Sequence, residues 1–72
     1  MHIGERIKQR RKYLKMSAET LGEKIGKDRS TVYRYEKGDI ENMSIVMVPI
    51  IAKALDVTPS YLMGWDEMEN HD

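Results

Sequence analysis

The 72-residue chain has the length of one small domain. It contains no cysteine, and its two histidines stand near opposite ends, which excludes a disulfide framework and a zinc site built from these residues. A helix that spans a bilayer needs about 20 apolar residues, and no apolar run here approaches that length. No signal peptide opens the sequence. We therefore expect a cytoplasmic protein with no membrane partner, metal or cofactor.

Charge is segregated between the two halves of the chain. Lysine and arginine number 12, as do aspartate and glutamate, so the formal net charge is zero. Residues 1–38 nevertheless hold eleven basic and five acidic side chains, whereas residues 39–72 hold one basic and seven acidic ones. Such a chain can present a cationic face to a polyanion and stay soluble through its acidic half. Two solvated faces that happen to segregate would give the same pattern.

Helical periodicity predicts an all-α bundle of about five short helices. In chain order they cover about residues 3–15, 18–25, 29–37 and 45–55, followed by a last helical turn after Thr58. The residues expected to face inward in these helices are Ile3, Ile7, Leu14, Leu21, Ile25, Val32, Tyr35 and Leu62. No strand-like alternation of apolar and polar residues is sustained, so a sheet is not expected.

Polar residues and glycines mark the predicted helix ends. The expected N-caps are Ser17, Asp28, Ser44 and Thr58. Gly26 and Gly38 are expected to end the second and third helices. Gly22 lies inside the second helix, where glycine costs roughly 1 kcal/mol relative to alanine, so we expect a steric reason for it. Pro49 lacks an N–H and should either delay the start of the fourth helix or kink it.

The second and third helices, joined at Gly26, have the outline of a helix-turn-helix. In that motif the second of the two helices enters the major groove of DNA with its N-terminal end first. Arginine forks onto the O6 and N7 atoms of guanine, and serine or threonine can meet several base edges. The positions of the third helix expected to be exposed are nearly all hydrogen-bond donors: Arg29, Ser30, Thr31, Tyr33, Arg34 and Lys37.

Beyond this outline, the sequence resembles the Cro and phage-repressor (lambda-repressor-like) family of DNA-binding domains. The resemblance covers roughly residues 3–65. It is carried by residues 16–38, by Arg10-Arg11 upstream, and by Ile51-Ala52-Lys53-Ala54-Leu55 downstream. Its most specific parts are Ser30-Thr31-Val32-Tyr33-Arg34-Tyr35-Glu36-Lys37-Gly38 and Tyr61-Leu62-Met63-Gly64-Trp65.

The resemblance implies a set of site residues. Those implied to contact bases are Arg29, Ser30, Thr31 and Arg34. Lys37 stands where the family often contacts phosphate. Further residues expected to contact phosphate or support the interface, from their own chemistry and position, are Ser17, Lys27 and Tyr33. Arg11 and Glu36 match a pair that commonly forms a salt bridge between the first helix and the end of the third.

The chain departs from the family pattern at several positions. Ala18 stands where the family often has a glutamine that contacts phosphate, so only Ser17 and backbone amides can serve there. Gly22 replaces a usual alanine. Lys27 stands where an apolar residue is usual and can reach a phosphate instead.

The fourth predicted helix is unusual because residues 45–52 are all apolar. A helix that is apolar all round must be buried all round, and a chain of this size can cover only one side. The remainder would form an exposed patch of the kind that marks protein contacts. We predict that Val46, Met47 and Ile50 contribute to a homodimer contact. Alternatively, the segment around Trp65 or a longer native chain covers them.

The sequence thus predicts a DNA-binding domain over residues 1–65 and an acidic tail or linker start over residues 66–72. The predicted function is a sequence-specific double-stranded DNA-binding transcriptional regulator. It would be a phage or prophage type repressor, or the N-terminal domain of one, bound as two copies to a two-fold symmetric operator. The alternatives are an antitoxin or restriction-control regulator and a helical protein-interaction module. No enzyme and no small-molecule ligand are predicted, because no histidine, cysteine or carboxylate set has catalytic spacing.

Overall fold

The computed structural model describes residues 2–39 and 43–64 and confirms the all-α prediction. In these residues the chain forms α1 (Ile3–Tyr13), α2 (Ala18–Ile25), α3 (Arg29–Glu36), α4 (Met47–Ala54) and α5 (Pro59–Met63). Within the same two ranges, no helix has the length and apolar character that crossing a membrane requires. The predicted acidic tail, residues 66–72, lies outside the described residues, as does Trp65.

Three of the four predicted N-caps are confirmed. Ser17 Oγ accepts a hydrogen bond from the Thr20 amide at 3.0 Å. Two further caps repeat this arrangement, with Asp28 accepting from the Thr31 amide and Thr58 from the Tyr61 amide. Each cap provides a partner for one of the amides that the first turn of a helix leaves without one. The three capped helices therefore begin where the sequence predicts.

The predicted start of α4 was wrong. Its N-cap is Val46, which makes no side-chain capping bond, and the Ser44 hydroxyl instead accepts from the Val46 amide at 3.3 Å in the preceding turn. Pro49 explains the late start. The sequence analysis expected it either to delay the fourth helix or to kink it, and the first of these occurs. Pro49 falls at the third position of the helix, where an amide would have no partner inside the helix anyway.

The other differences at helix ends are small. α1 ends at Tyr13 rather than near residue 15, because Lys15 takes a left-handed conformation with φ 56°. α3 ends at Glu36, one residue before its predicted end at Lys37.

The core is made by apolar side chains from all five helices. Val32 and Tyr35 of α3 are buried as predicted, and Leu14 packs against the core while half-buried. The largest fully buried side chains are Ile7, Leu21, Val32, Ile51, Leu55 and Leu62. α3 therefore stands on the core with one side inward, which fixes the residues that its other side presents.

Gly22 has the steric reason that the sequence analysis expected. A Cβ atom at this position would lie 2.5 Å from the carbonyl oxygen of Lys27. Real Cβ atoms do not approach a backbone oxygen so closely. The missing side chain lets α2 lie directly against the turn that leads into α3.

Two arginines of α1 hold the bundle together. Arg6 is buried, with its guanidinium carbon 4.9 Å from the centre of the Tyr61 ring of α5. Arg10 Nε donates a hydrogen bond to the Leu55 carbonyl oxygen at 2.9 Å, at the end of α4. These two cations serve packing and are not part of an exposed basic surface.

Candidate nucleic-acid interface

α2 and α3 form a helix-turn-helix unit whose connection is residues 26–28. α2 ends at Gly26, which has φ 76°, and the Lys27 amide donates to the Gly22 carbonyl oxygen at 2.8 Å. Asp28 then caps α3. A connection closed by hydrogen bonds at both ends holds α3 at a fixed angle to α2.

The exposed side of α3 presents most of the residues predicted to contact bases. Arg29, Ser30 and Arg34 are exposed, whereas Thr31 is half-buried and its amide is used by the Asp28 cap. Because Val32 and Tyr35 face the core, these donors project from the opposite side of the helix. The structure therefore leaves Arg29, Ser30 and Arg34 accessible outside the core side of α3, with Thr31 at the buried margin.

Arg34 has a neighbour that the sequence analysis missed. Its Nε atom lies 3.5 Å from Oδ2 of Asp39, and both side chains are about half exposed, at 53% and 55%. Asp39 follows Gly38, and the predicted end of the helix at this glycine is the sequence signal that could have located the pair.

Tyr33 and Lys37 line a groove between α3 and α1. The groove has a volume of about 330 Å³, and α1 contributes Lys8 and Lys12 to it. The oppositely charged Arg11 and Glu36 complete its lining. We call Lys8, Lys12, Tyr33 and Lys37 the cationic groove. Lys8 and Lys12 are one helical turn apart, so their shared face could be foreseen, but not that it meets α3. Three ammonium groups beside a phenol suit a phosphate group.

The structure sets Lys27 apart from the cationic groove. Lys27 and Arg29 line a second groove of about 320 Å³, together with three carboxylates, those of Glu19, Glu23 and Asp28. The acidic neighbours weaken the attraction of Lys27 for a phosphate. Ser17 is exposed at the start of α2, where its hydroxyl oxygen already accepts a hydrogen bond from the Thr20 amide.

Arg11 and Glu36 form a buried ion pair between α1 and the end of α3. Arg11 Nε lies 2.6 Å from Glu36 Oε2, and Arg11 Nη2 lies 3.1 Å from Oε1. Arg11 Nη1 also donates to the Met16 carbonyl oxygen at 3.0 Å. The hydrogen bonds to Glu36 raise the pKa of Arg11 above its ordinary value. This fork fixes the end of α3 relative to α1, beside the cationic groove.

The start of α3 perturbs the pKa of Asp28. The hydrogen bonds that its carboxylate accepts from Thr31 hold the pKa of Asp28 below the ordinary value. The charged form is favoured because the N-terminal amides of α3 point at it.

The predicted dimer residues lie on or beside α4. Val46 and Ile50 are exposed at 62% and 43%, whereas Met47 is half-buried against the core. Pro49 is exposed between them. We call Val46, Pro49 and Ile50 the apolar strip. In the part of the chain that the structure describes, no group of three or more histidines, cysteines and acidic residues could hold a metal ion.

Comparison with known proteins gives a family for this arrangement. Residues 7–62 match the Helix-turn-helix family. An uncharacterized HTH-type transcriptional regulator of Sinorhizobium fredii, y4wC, is 47% identical over 60 residues, which are 83% of this chain and 41% of that protein. An uncharacterized transcriptional regulator in the ATPase CF(0) region of Rhodospirillum rubrum is 36% identical over 63 residues, 88% of this chain and 57% of that protein. The chain thus spans about half the length of these curated relatives.

Solved structures give the same fold. The P22 c2 repressor, crystallised in complex with a synthetic operator, superposes with a TM-score of 0.80 and 30% identity, over 88% of this chain and 94% of that one. Hydroxypropylphosphonic acid epoxidase from S. wedmorenis superposes with a TM-score of 0.79 and 26% identity, but the match covers only 32% of the enzyme. The fold, the helix-turn-helix unit and these matches agree, and the chain belongs to the helix-turn-helix family, with a lambda-repressor-like DNA-binding domain.

Proposed function

We propose that the chain is the sequence-specific DNA-binding domain of a transcriptional regulator of the phage or prophage repressor type. The observation that carries the proposal is the row of exposed donors on α3, held by the capped connection from α2. The family and the regulator relatives favour a DNA-binding regulator over an enzyme. The similarity to the P22 c2 repressor, whose structure contains an operator, supports double-stranded DNA as the ligand.

In this proposal α3 lies in the major groove. Arg29, Ser30, Thr31 and Arg34 contact base edges and supply the sequence preference. Lys37 and Tyr33 of the cationic groove contact phosphate and fix the register of the domain on the duplex, without reading sequence. Ser17 supports the DNA backbone at the start of α2, and Lys27 makes a weaker contribution in the connection, because three carboxylates lie beside it.

We also propose that two copies bind a two-fold symmetric operator. One short helix contacts few base pairs, and half-sites about 34–36 Å apart let a dimer add the contacts of two such helices. The apolar strip supports self-association, because Val46 and Ile50 expose apolar surface that the bundle leaves uncovered. Bound at a promoter, such a dimer would act by occluding or positioning the transcription machinery.

A second candidate function is a helical protein-interaction module. The exposed apolar residues near the start of α4 favour it, above all Ile45, which is 76% exposed. This alternative predicts that substituting Arg29 and Arg34 leaves function unchanged, whereas substituting Met47 abolishes it. DNA reading predicts the reverse for the two arginines.

The test is selection from a random duplex pool, followed by fluorescence anisotropy of the enriched duplex at two salt concentrations. We expect an enriched two-fold symmetric site whose binding weakens steeply with salt. Arg34→Ala should lower affinity for that site by about tenfold or more, since a bidentate arginine–guanine contact is worth about 1–3 kcal/mol. Lys53→Ala is the matched control, because Lys53 is an exposed cation on α4. Absence of any enriched sequence would contradict the proposal.

A further inference from the structure

The C-terminal end of α3 holds Asp39 beside Arg34 through the backbone. Gly38 takes φ 96°, its amide donates to the Tyr35 carbonyl oxygen at 3.1 Å, and the Asp39 amide donates to the Arg34 carbonyl oxygen at 3.0 Å. These two bonds are the Schellman arrangement, which requires a left-handed residue at the position of Gly38. The backbone of Asp39 is thereby bonded to that of Arg34, and the side chains of the same two residues form the ion pair.

The side chains meet on one edge of the guanidinium group. The ion pair joins Arg34 Nε to Asp39 Oδ2, at 3.5 Å. Arginine has five N–H donors, one on Nε and four on the two terminal nitrogens. A carboxylate placed at Nε leaves the end-on pair of donors on Nη1 and Nη2 available to another acceptor. Two parallel donors of this kind are what the O6 and N7 atoms of guanine accept.

We propose that Asp39 is a positioning residue that holds the Arg34 guanidinium for end-on reading of a guanine in the major groove. The inference rests on the proposed function, since it requires that Arg34 reads a base. An exposed arginine has many rotamers, and holding one of them before binding reduces the entropy lost on contact. The carboxylate also repels the phosphates of every duplex alike, so it lowers overall affinity without changing sequence preference. The held rotamer strengthens binding only where a guanine meets it, and this is the effect that raises the preference for guanine.

The test is a double-mutant cycle on the enriched duplex. Wild type, Arg34→Ala, Asp39→Ala and the double variant are compared by anisotropy on that duplex and on versions with single base pairs changed. The base pair that Arg34 reads is the one whose change affects wild type but not Arg34→Ala. We expect Asp39→Ala to lower discrimination at that base pair by about fivefold or more, within the range that one bidentate contact supplies. In the Arg34→Ala background, Asp39→Ala should leave discrimination unchanged.

Asp56→Asn is the charge control. Asp56 is exposed in the turn after α4 and has φ 57°, a conformation that asparagine tolerates and alanine does not. The Asp56→Asn substitution removes one negative charge, as Asp39→Ala does, but at a position outside α3. Alanine at position 39 keeps the helix end, because the Schellman bond uses the Asp39 backbone, and equal thermal melting temperatures of wild type and variant would verify this.

The possible outcomes distinguish failure of the positioning role of Asp39 from failure of the proposed DNA-binding function. Equal tightening of all duplexes by Asp39→Ala and Asp56→Asn, with discrimination intact, would overturn the positioning role. Full retention of sequence preference by Arg34→Ala would also overturn it, while leaving DNA reading by other residues in place. If wild type enriches no sequence, the proposed function itself fails, and the inference fails with it.

Discussion

The arginine side chains show how one residue type serves different purposes at different positions. Arg6 and Arg11 are buried, one against the Tyr61 ring and the other in the fork with Glu36. Arg34, by contrast, is exposed beside Asp39. The basic half of the chain therefore offers fewer charges to a polyanion than its composition indicates. The role of each arginine depends on what lies against its side chain: α5 for Arg6, the end of α3 for Arg11, and solvent with Asp39 for Arg34.

The Arg11–Glu36 pair gives a prediction about stability. Arg11→Met leaves the buried Glu36 carboxylate without its cation and the Met16 carbonyl without its donor. We expect the free energy of unfolding to fall by about 3–5 kcal/mol, as when one partner of a buried pair is removed. Urea denaturation followed by circular dichroism measures this. Arg34→Met is the control, an exposed substitution expected to change stability by about 0.5 kcal/mol or less. Equal effects of the two variants would show that the fork adds nothing to stability.

At the scale of the elements, the close approach of α2 to the start of α3 is the feature on which the helix-turn-helix unit depends. Gly22→Val places side-chain atoms where even a Cβ would lie 2.5 Å from the Lys27 carbonyl oxygen. We expect a loss of about 3 kcal/mol or more relative to Glu23→Val, since overpacking typically costs about 1–3 kcal/mol and this neighbour is backbone. Glu23 is exposed on the same helix, and helix propensity alone would favour Gly22→Val over Glu23→Val, so a greater loss at Gly22 reports the steric clash. Similar unfolding midpoints for the two variants would contradict the steric role of Gly22.

The Asp28 cap gives α3 a pH dependence whose sign follows from its lowered pKa. The cap's charge-dependent stabilisation is present above the ordinary value of 3.8 and is lost as the pH falls through the lower pKa of the folded state. Asp28→Ser keeps a capping oxygen but does not titrate. We expect the difference in unfolding free energy between wild type and Asp28→Ser to shrink from neutral pH to about pH 2. A difference that stays constant with pH would mean that the charge of Asp28 contributes nothing.

Much of α2, α3 and α5 could be predicted because their signals are local. Ser17, Asp28 and Thr58 cap the amide three residues later, and Gly26 ends α2 within the same few residues. The start of α4 could not, because Ser44 offered a cap while Pro49 favoured a later start. The missing N–H of Pro49 decided the outcome, and the sequence alone did not show which of the two local signals would prevail.

At the scale of the whole molecule, the site was only partly predictable. The exposed side of α3 follows from helical period once Val32 and Tyr35 are known to face inward. The meeting of the α1 lysines with Lys37 depends on how separate segments meet in space, whereas Arg34 and Asp39 meet across the helix end at Gly38. Arg10 is the clearest case, since it donates to the Leu55 carbonyl, far along the chain. Contacts between residues so far apart in the chain produce no spacing pattern in the sequence.

The apolar strip gives a prediction about assembly. Replacing both Val46 and Ile50 by serine removes exposed apolar surface without disturbing the buried face of α4. If the strip joins two copies, binding to a duplex with two half-sites should weaken by about tenfold or more, because a linked second contact adds avidity. Binding to a single half-site should not change, since α3 is untouched. Anisotropy on the two duplexes, with sedimentation to measure mass, tests this.

The control for the strip is Tyr13→Ser, which removes an apolar side chain that is 73% exposed at the end of α1. The affinity of Tyr13→Ser for each of the two duplexes should equal that of wild type, because Tyr13 is not part of the apolar strip. A chain that stays monomeric at high concentration and binds two half-sites independently would contradict the dimer. In that case each domain would read its half-site alone, and Val46 and Ile50 would be exposed for another partner.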